Sequence, residues 1–366
     1  MSFAAAAGPV MPIIIGAFIV AAVVALLATP LIRRFVRELR ILDHPDERRV
    51  NESPIARGGG VAVAIAFLAV GGGLVLLGSA VPGMPGLRAV TPANLVGLFG
   101  GAILATVIGA LDDRFDLRAR WQFLGQIALA GVAVLSGIVV EDVSNPFGPR
   151  NIDFPTAVGI AFTVVWIVGM INSLNFIDGL DGLSTGIALI AAVVLGLLSL
   201  TVQVNQPLVA VLCFALAGGL LWFLRWNFHP ASIFQGTAGV MFTGYALAVL
   251  AILGSAKIVV ALLVLAVPII DTFWVIVRRV SVGRSPFSPD RGHIHHRLLD
   301  LGLSHRSTVL LIYVVCATLG LMSLLVSSAT GIFAFLGALA VFGIVAFLLA
   351  RATPEAPERD SSEATS

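Results

Sequence analysis

The stretch VGIAFTVVWIVGMINSLNFIDGLDGLSTG, residues 158–186, joins an apolar run to a cluster of polar side chains. Residues 155–174 carry no charged side chain, and a helix needs roughly 20 residues to cross a bilayer. Polar side chains then recur at every third position: Asn172, Asn175, Asp178 and Asp181. A cap at the end of a span explains one or two of them, but not four. Because an ionised Asp in lipid costs on the order of 3 kcal/mol, we expect these side chains to face protein, water or a cation.

The whole chain has the composition of a polytopic membrane protein. Of its 366 residues 58% are hydrophobic and 11% are charged, and the mean hydropathy is +1.02. A soluble globular chain is roughly 25% charged, so these values argue against that class. Cys213 and Cys316 lie in apolar runs, which favours small buried side chains over a disulfide or a metal site.

Eleven apolar runs predict an all-α membrane fold with about eleven transmembrane helices. The runs cover residues 10–32, 59–79, 94–111, 121–140, 155–174, 183–203, 207–224, 238–253, 257–277, 308–327 and 330–350. The first run lacks the basic flank of a secretory signal and is interpreted as an uncleaved helix with its N-terminus outside. We expect one transmembrane domain over residues 1–350 and a disordered cytoplasmic tail over 351–366, where Pro, Ser and Glu are frequent.

The positions of the basic residues support this orientation. If the N-terminus lies outside, the loops after odd-numbered runs and the tail face the cytoplasm, and they contain 19 of the 22 Lys and Arg residues. The opposite face contains Arg88, Arg150 and Lys257. This asymmetry follows the positive-inside rule. Every polar cluster that could carry chemistry falls on the same cytoplasmic side.

Carboxylates form the first set of candidate site residues. Asp112 and Asp113 lie in LDDRFDLRAR, residues 111–120, where adjacent acids alone are commonly just solvated. On a continuing helix, Asn175, Asp178 and Asp181 would cover an arc of about 120°. Gly179 and Gly182 favour a looser backbone as the alternative, and the side chains are expected to converge in either case. Like charges crowded near a membrane need a counter-charge. Mg²⁺ supplies it in phosphoryl transfer, where it binds a few carboxylates and the substrate phosphates.

Basic loops form the second set. The loop SPFSPDRGHIHHRL, residues 285–298, holds three of the six histidines, namely His293, His295 and His296. It contains no thiol and lacks an established zinc spacing, so we interpret its imidazole and guanidinium groups as phosphate ligands. In the loop over residues 33–57, the arginines suit anionic headgroups. A more specific turn beside the site is indicated by Asp43, Pro45, Arg48, Arg57 and the glycine run 58–60.

Taken together, these elements resemble the polyprenyl-phosphate N-acetylhexosamine-1-phosphate transferases, integral enzymes that start cell-envelope glycan synthesis. The resemblance runs from about Leu42 to Leu303. It rests on four motifs, LDDRFD, NSLNFIDGLDGLSTG, RWNFHPASIF and PFSPDRGHIHHRLLDLG. The last motif is similar to the undecaprenyl-phosphate N-acetylglucosaminyl-1-phosphate transferase branch of glycosyltransferase family 4.

The resemblance implies a reaction and its partners. A sugar 1-phosphate, with N-acetylglucosamine 1-phosphate expected first, would pass from a UDP-sugar to undecaprenyl phosphate with release of UMP. The cofactor implied is Mg²⁺, with Mn²⁺ as the alternative. The implied location is the inner (plasma) membrane of a bacterial-type cell, with the active site on the cytoplasmic face. No nucleic-acid partner is expected, and a homodimer is left open.

The resemblance also implies roles for individual residues. Asp112 and Asp113 would be catalytic and would engage the lipid phosphate and the metal, with Asp112 as the candidate base. The implied metal ligands are Asp113, Asp178 and Asp181. The implied substrate-binding residues are Asn175, Asp178, Asn227, Phe234, Arg291, His293, His295 and His296.

Three positions depart from the family pattern. Thr237 stands where the family has a metal-binding Asp, Val240 stands where it has a Ser, and Asn51 stands where it has a His. A hydroxyl is a weaker Mg²⁺ ligand than a carboxylate. The remaining acids could still hold the metal, the substrate or metal could differ, or the chain could bind its ligands without turnover. A transporter is a weaker alternative, because Asp271 is the one acid well inside a predicted span.

Overall fold

A computed structural model describes residues 7–44, 54–78, 90–143, 145, 151–254, 258–281, 283 and 293–325, with single positions between 333 and 344. The described residues fold almost entirely into helices. The helices are α1 (Ala7–Glu38), α2 (Gly60–Phe67), α3 (Gly73–Leu76), α4 (Pro92–Phe115), α5 (Ala119–Leu135), α6 (Thr156–Ile177), α7 (Leu183–Ser199), α8 (Pro207–Asn227), α9 (Gly236–Leu253), α10 (Ile258–Val264), α11 (Ala266–Ser281), α12 (Ile294–Asp300) and α13 (His305–Leu325). A π-helical turn, Leu68–Gly72, joins α2 to α3.

Two short antiparallel ribbons complete the described fold. Strands β1 (Leu42–Asp43) and β2 (Ile55–Ala56) pair in the first loop. Strands β3 (Asp142–Val143) and β4 (Ile152–Asp153) pair between α5 and α6.

Six of the described helices are long and apolar enough to cross a membrane: Gly8–Glu38, Pro92–Phe115, Thr156–Ile177, Pro207–Asn227, Gly236–Leu253 and His305–Leu324. Three further apolar helices are shorter: Gly60–Leu76, Ala119–Leu135 and Leu183–Ser199. The prediction of an all-α, multi-pass membrane protein is therefore confirmed. The count of eleven spans and the orientation of the termini stay predictions.

Each of the first ten predicted runs coincides with a helix or a pair of helices. The ninth run is divided, because α10 ends at Val264 and α11 begins at Ala266. Most of the eleventh run, 330–350, and the predicted tail, 351–366, lie outside the described residues. Cys213 and Cys316 are buried and do not form a disulfide, as their apolar surroundings predict.

Helix α9 is the centre of the bundle. In its apolar window 94% of the residues are buried, compared with 33% in α1. Helices α2, α4 and α6 pack against α9, while α1 packs against α8 on the outside. Large apolar side chains of α1 such as Leu27 and Leu31 remain exposed, as expected for a lipid-facing helix.

Glycines let the backbones approach closely at the N-terminal end of α9. A Cβ on Gly109 of α4 would lie 2.4 Å from the Cα of Ala238. A Cβ on Gly60 of α2 would lie 2.0 Å from the Cα of Gly239. Such small-residue contacts are typical of helix packing in membranes. They fix the start of α9 against the end of α4, and this is where the polar clusters meet.

We expect Gly109→Ala to lower thermal stability, because the added methyl group must push α4 and α9 apart at a backbone contact. Overpacking of this kind typically costs about 1–3 kcal/mol. The matched control is Gly100→Ala, on the same helix, where nothing lies within 4 Å of the added Cβ. Thermal unfolding in detergent should show a clear drop in Tm for Gly109→Ala only. An equal Tm for both variants would contradict the close contact.

Candidate active site

The first loop brings Arg57 to the ends of α4 and α9. Strand β2 lies beside the segment before α9, where the Phe234 amide donates to the Ala56 carbonyl over 2.8 Å. The Gly59 amide donates back to the Phe234 carbonyl over 2.9 Å. These backbone bonds hold Arg57 in place from both sides.

The Arg57 side chain contacts the predicted catalytic acids and Thr237. Its Nε lies 2.8 Å from Asp113 Oδ1 and its Nη2 lies 3.6 Å from Asp112 Oδ2. Its Nη2 also donates to the Thr237 hydroxyl over 3.0 Å. A weaker contact of 3.6 Å reaches the exposed Asp116. The Arg57 guanidinium group therefore counters the negative charge of Asp112 and Asp113. Thr237, which departs from the family pattern, accepts a hydrogen bond from the same group.

Asp113 caps the N-terminus of α9. Its Oδ1 accepts the Thr237 amide over 2.8 Å and its Oδ2 accepts the Ala238 amide over 3.0 Å. Gly236 precedes them with φ +71, and a Cβ there would lie 2.6 Å from Asp113 Oδ2. An N-terminal carboxylate satisfies otherwise unpaired amides and interacts favourably with the helix dipole. Asp113 is therefore both a predicted catalytic acid and part of the helix boundary.

Asp112 has one satisfied and one unsatisfied carboxylate oxygen. Its Oδ1 accepts the Gln122 amide nitrogen over 2.8 Å and the Leu117 backbone amide over 3.1 Å. Within the described part of the chain, its buried Oδ2 has no hydrogen-bond partner. Buried polar atoms are normally paired. Asp112 Oδ2 is therefore suited to a cation or to a ligand that donates a hydrogen bond.

The sequence NSLNFIDGLDG divides between a helix and a turn, so its acids do not lie on one helical arc. Helix α6 ends at Ile177, with Asp178 as its C-cap, and α7 begins after Gly182, which has φ +80. Asn172 and Asn175 lie on α6, and Asp178 and Asp181 lie in the turn. Asn172 donates to Gln126 of α5 over 2.6 Å, which accounts structurally for one of the four polar residues.

Asp178 lies in this turn, and its surroundings shift its pKa. Burial raises the pKa of Asp178 to about 7, although the Ser184 hydroxyl and Arg57 act to lower it. The neighbouring charges of Asp113 and Asp181 also raise it. Asp178 therefore lies within the electrostatic reach of Arg57 and Asp113 and belongs to the same cluster.

A buried polar network joins this turn to the segment before α9. Gln235 is fully buried, and its Oε1 lies 2.9 Å from both the Ser184 and the Thr185 hydroxyls. Thr185 also donates to Asn227 over 2.7 Å, and Asn227 donates to the Ile233 carbonyl over 3.1 Å. Asn227, predicted to bind nucleotide, is thus engaged inside the protein, beside the half-buried Phe234. The sequence did not predict Gln235 as a site residue, because an uncharged side chain within a motif gives little indication of its role.

The described part of the histidine segment, His293–His296, lies against the Asp178 turn. A Cβ on Gly179 would lie 2.9 Å from His295 Nε2. His293 and His295 stack with ring centroids 5.5 Å apart, and the His295 and His296 centroids are 4.4 Å apart. Burial, reinforced by His296 and His293, lowers the pKa of His295 well below its usual range. His295 is therefore a neutral hydrogen-bonding group near neutral pH. The predicted ligand Arg291 and the variant position Asn51 lie outside the described residues.

Asp271 orients the first of these histidines. Its Oδ2 lies 2.7 Å from His293 Nδ1, and its Oδ1 accepts the Ile294 amide over 2.9 Å. In the sequence Asp271 was noted only as an acid within a span. Its position within an apolar span already indicated a structural or functional role, because a carboxylate inside an apolar helix needs a partner.

Asp181 pairs with a different neighbour from the other acids. Its Oδ2 lies 2.7 Å from His229 Nδ1 and accepts the Ala231 amide over 3.0 Å. The structure therefore brings Asp112, Asp113, Asp178 and His295 to one end of the bundle. It places Asp181 beside the turn between α8 and α9.

These features define a polytopic helical membrane protein with a polar site in which carboxylates, one guanidinium and imidazoles meet. Comparison with known proteins narrows this class. Residues 95–255 match the family model described as "Glycosyl transferase family 4". The chain is 35% identical over 324 residues to the "Probable undecaprenyl-phosphate N-acetylglucosaminyl 1-phosphate transferase" of Bacillus subtilis, which covers 87% of this chain and 86% of the relative.

Two further relatives have similar names. The "Decaprenyl-phosphate N-acetylglucosaminephosphotransferase" of Mycolicibacterium smegmatis is 38% identical, over 80% of this chain and 77% of the relative. The "Undecaprenyl-phosphate alpha-N-acetylglucosaminyl 1-phosphate transferase" of Escherichia coli is 30% identical, over 60% of this chain and 62% of the relative. The chain belongs to glycosyl transferase family 4, among the polyprenyl-phosphate N-acetylhexosamine-1-phosphate transferases, so the resemblance of its motifs is confirmed.

We expect Asp178→Asn to change how stability depends on pH. Asp178 binds its proton more tightly in the folded chain than in the unfolded chain, since its pKa rises from 3.8 to about 7 on folding. Its contribution to the free energy of unfolding is therefore largest at low pH and is lost as pH rises towards 7. Thermal unfolding between about pH 5 and pH 7.5 should show a smaller fall in Tm for Asp178→Asn than for the unaltered chain.

The control is Asp116→Asn, which removes the same charge from a side chain that is 93% exposed. Asp116 has φ +53, a conformation that Asn also tolerates. Its pH profile should parallel that of the unaltered chain. Parallel profiles for all three proteins would contradict a raised pKa at Asp178.

Proposed function

We propose that this chain transfers N-acetylglucosamine 1-phosphate from UDP-N-acetylglucosamine to undecaprenyl phosphate and releases UMP at the cytoplasmic face of a bacterial-type plasma membrane. The observation that carries the proposal is the meeting of Asp112, Asp113, Asp178 and His295 at one end of an apolar bundle. Relatives named as polyprenyl-phosphate N-acetylglucosaminyl transferases, at 35% and 38% identity over most of the chain, support the reaction class. The one-sided distribution of basic residues supports the cytoplasmic face.

In this reaction an oxygen of the lipid phosphate forms a bond to the phosphorus that carries the sugar. The bond from that phosphorus to the bridging oxygen of the diphosphate breaks, and UMP leaves. The lipid phosphate is already largely ionised near neutral pH, so positioning contributes more than proton removal. Asp112, the candidate base, serves chiefly to orient the acceptor in this proposal. His295, uncharged and beside the Asp178 turn, would donate a hydrogen bond to a phosphate oxygen.

The donor set fits Mg²⁺. Asp112 Oδ2 is buried without a hydrogen-bond partner among the described residues, and Asp178 lies within the same cluster of negative charge. Mg²⁺ usually binds one or two carboxylates and completes its shell with phosphates and water. Asp112, Asp113 and Asp178 would hold it. When bound, it would neutralise and align the phosphate oxygens of the two substrates.

Thr237 does not disqualify the site in this proposal. Its hydroxyl accepts from Arg57, and its backbone amide donates to Asp113. A carboxylate at this position would instead compete with Asp113 for the same guanidinium group. We infer an adapted site over a decayed one, because the other acids and all three histidines are retained.

The direct test is an assay of the purified chain with labelled UDP-N-acetylglucosamine, undecaprenyl phosphate and either Mg²⁺ or Mn²⁺. We expect labelled lipid and UMP in equal amounts, and a loss of at least about 100-fold in Asp112→Asn and Asp178→Asn. Asp116→Asn should retain most of the activity. Absence of both products with every UDP-sugar offered, alongside an active family member, would refute catalysis.

Thr237→Asp separates the adapted site from the impaired paralogue in the same assay. An adapted site predicts that this change gives at most a few-fold gain or a loss, since the new carboxylate binds Arg57. Thr237→Asn is the matched control, because Asn has nearly the same shape as Asp but carries no charge. A very large gain of turnover specific to Thr237→Asp would show that the unaltered chain had lost its activity.

A further inference from the structure

We propose that Arg57 is a catalytic residue that binds the phosphate of the acceptor lipid through the terminal nitrogens of its guanidinium group. The inference rests on the proposed function, because it takes a polyprenyl phosphate as the acceptor. The sequence predicted a specific turn at Arg57 but no contact with a substrate. The proposal adds a positively charged substrate ligand beside Asp112 and Asp113.

The backbone holds Arg57 at the site from both sides. The Arg57 amide donates to the Ile41 carbonyl over 3.1 Å, and the Gly60 amide donates to the Gln235 carbonyl over 2.9 Å. A side chain that starts from a fixed backbone has less freedom to lose when it binds a ligand. Arg57 therefore meets the condition for a preorganised group that stabilises charge during a reaction.

The contacts of Arg57 use only part of its guanidinium group. The group has five N–H donors and no acceptor. Its Nε lies 2.8 Å from Asp113 Oδ1, and its Nη2 donates to the Thr237 hydroxyl over 3.0 Å. The contacts from Nη2 to Asp112 Oδ2 and from Nη1 to Asp116 Oδ1 are both 3.6 Å long, which is too long for a hydrogen bond. Among the described residues, Nη1 therefore has no hydrogen-bond acceptor, and both of its hydrogens can be donated to a ligand.

The Arg57 side chain is also accessible to a ligand. It is 23% exposed, whereas the side chains of Asp112 and Asp113 are each 1% exposed. A ligand that approaches these two buried acids from outside the protein therefore reaches the guanidinium group more easily than it reaches the carboxylates.

The charge beside Arg57 favours a phosphate as this ligand. Asp112 Oδ2 is buried and has no hydrogen-bond partner in the described part of the chain, and it lies 3.6 Å from Arg57 Nη2. The acceptor phosphate, which Asp112 orients in the proposed function, is negatively charged as well. Two negative groups repel each other unless a cation lies close to both. Guanidinium N–H groups match the geometry of phosphate oxygens, so Arg57 can bind the phosphate that Asp112 alone would repel.

Thr237 leaves the charge of Arg57 available for a substrate. Its hydroxyl accepts from Nη2 without adding a negative charge. A carboxylate at position 237, as in the family pattern, would form a further ion pair with the guanidinium group and would weaken its attraction for phosphate. The departure at Thr237 therefore favours Arg57 as a substrate ligand in this chain.

The alternative is that Arg57 only holds the start of α9 through Asp113. In that case the loss of Arg57 lowers stability, but it changes the affinity for an acceptor lipid equally with and without the phosphate. Undecaprenol has the same hydrocarbon chain as undecaprenyl phosphate and ends in an uncharged hydroxyl. A comparison of the two lipids therefore separates the two roles.

The experiment measures binding of undecaprenyl phosphate and of undecaprenol to the full chain in detergent, with Mg²⁺ and without a UDP-sugar. We expect the unaltered chain to prefer the phosphate. Arg57→Gln should weaken binding of undecaprenyl phosphate by at least about tenfold and leave binding of undecaprenol unchanged. Arg57→Lys keeps the charge beside Asp113 but loses the planar fork, so its affinity for the phosphate should lie between those of the other two proteins.

The matched control is Arg114→Gln, which removes the same charge from an exposed side chain next to Asp113 and should bind both lipids like the unaltered chain. The Tm and the gel-filtration profile show whether each variant is folded, and Arg57→Lys decides the question if Arg57→Gln is not. In the transferase assay, Arg57→Gln should raise the KM for undecaprenyl phosphate and leave the KM for UDP-N-acetylglucosamine nearly unchanged.

Three results would overturn the proposal. These are no preference for the phosphate in the unaltered chain, an equal preference in the unaltered chain and the Arg57 variants, or a change of KM confined to the UDP-sugar. A chain that makes no product but loses its phosphate preference in the Arg57 variants would refute the proposed transfer reaction and would still support Arg57 as a ligand of the lipid phosphate.

Discussion

The pair of Arg57 and Asp113 is the interaction on which the rest of the site depends. Arg57 Nε lies 2.8 Å from Asp113 Oδ1, and Asp113 in turn accepts both amides at the start of α9. A carboxylate buried at this depth requires such partners, since an unpaired charge would cost several kcal/mol. The first loop, the end of α4 and the start of the central helix are therefore fixed by one hydrogen-bonded charge pair.

The remaining site residues are positioned by the ends of rigid helices around this pair. Gly60 and Gly109 let α2 and α4 meet the backbone of α9, which holds these helices close together near the acids. Gln235 joins the start of α9 to the Asp178 turn through Ser184 and Thr185. Asp271 holds His293 from α11. The side chains of the site are therefore held in fixed orientations by contacts within the protein, which is the condition that the proposed reaction needs.

Much of the helical fold could be predicted from the sequence, because the length of an apolar run is a local property of the chain. Ten apolar runs predicted helices that the structure contains, and the one-ended placement of LDDRFD, NSLNFIDGLDG and the histidine loop predicted that they would meet. Of the two alternatives for Asn175, Asp178 and Asp181, the single helical arc is wrong and the backbone loosened by glycine is present, since the helix ends at Ile177 and Gly182 has φ +80. The break between α10 and α11 within the ninth run has a cause in the sequence, because Pro268 has no amide to donate to the carbonyl of Val264 and is tolerated only in the first turn of a helix.

Contacts between distant segments could not be predicted in this way. The sequence indicated a specific turn at Arg57, but its contact with Thr237 joins residues 180 positions apart. The pairing of Asp181 with His229 joins residues 48 positions apart. Both depend on which helix ends pack together, and no single motif contains that information. Asp271 could be predicted in part. Its position within a predicted span indicates that it needs a partner, but the sequence does not indicate that the partner is His293.

A double-mutant cycle on Arg57→Gln and Asp113→Asn tests the central claim most directly. If the two side chains act as one pair that fixes the start of α9, the loss of Tm in the double variant should be clearly smaller than the sum of the single losses. The same cycle with Asp116→Asn should be close to additive, because that partner is exposed and 3.6 Å away. Additive losses for Arg57 and Asp113, equal to those of the control cycle, would contradict the account.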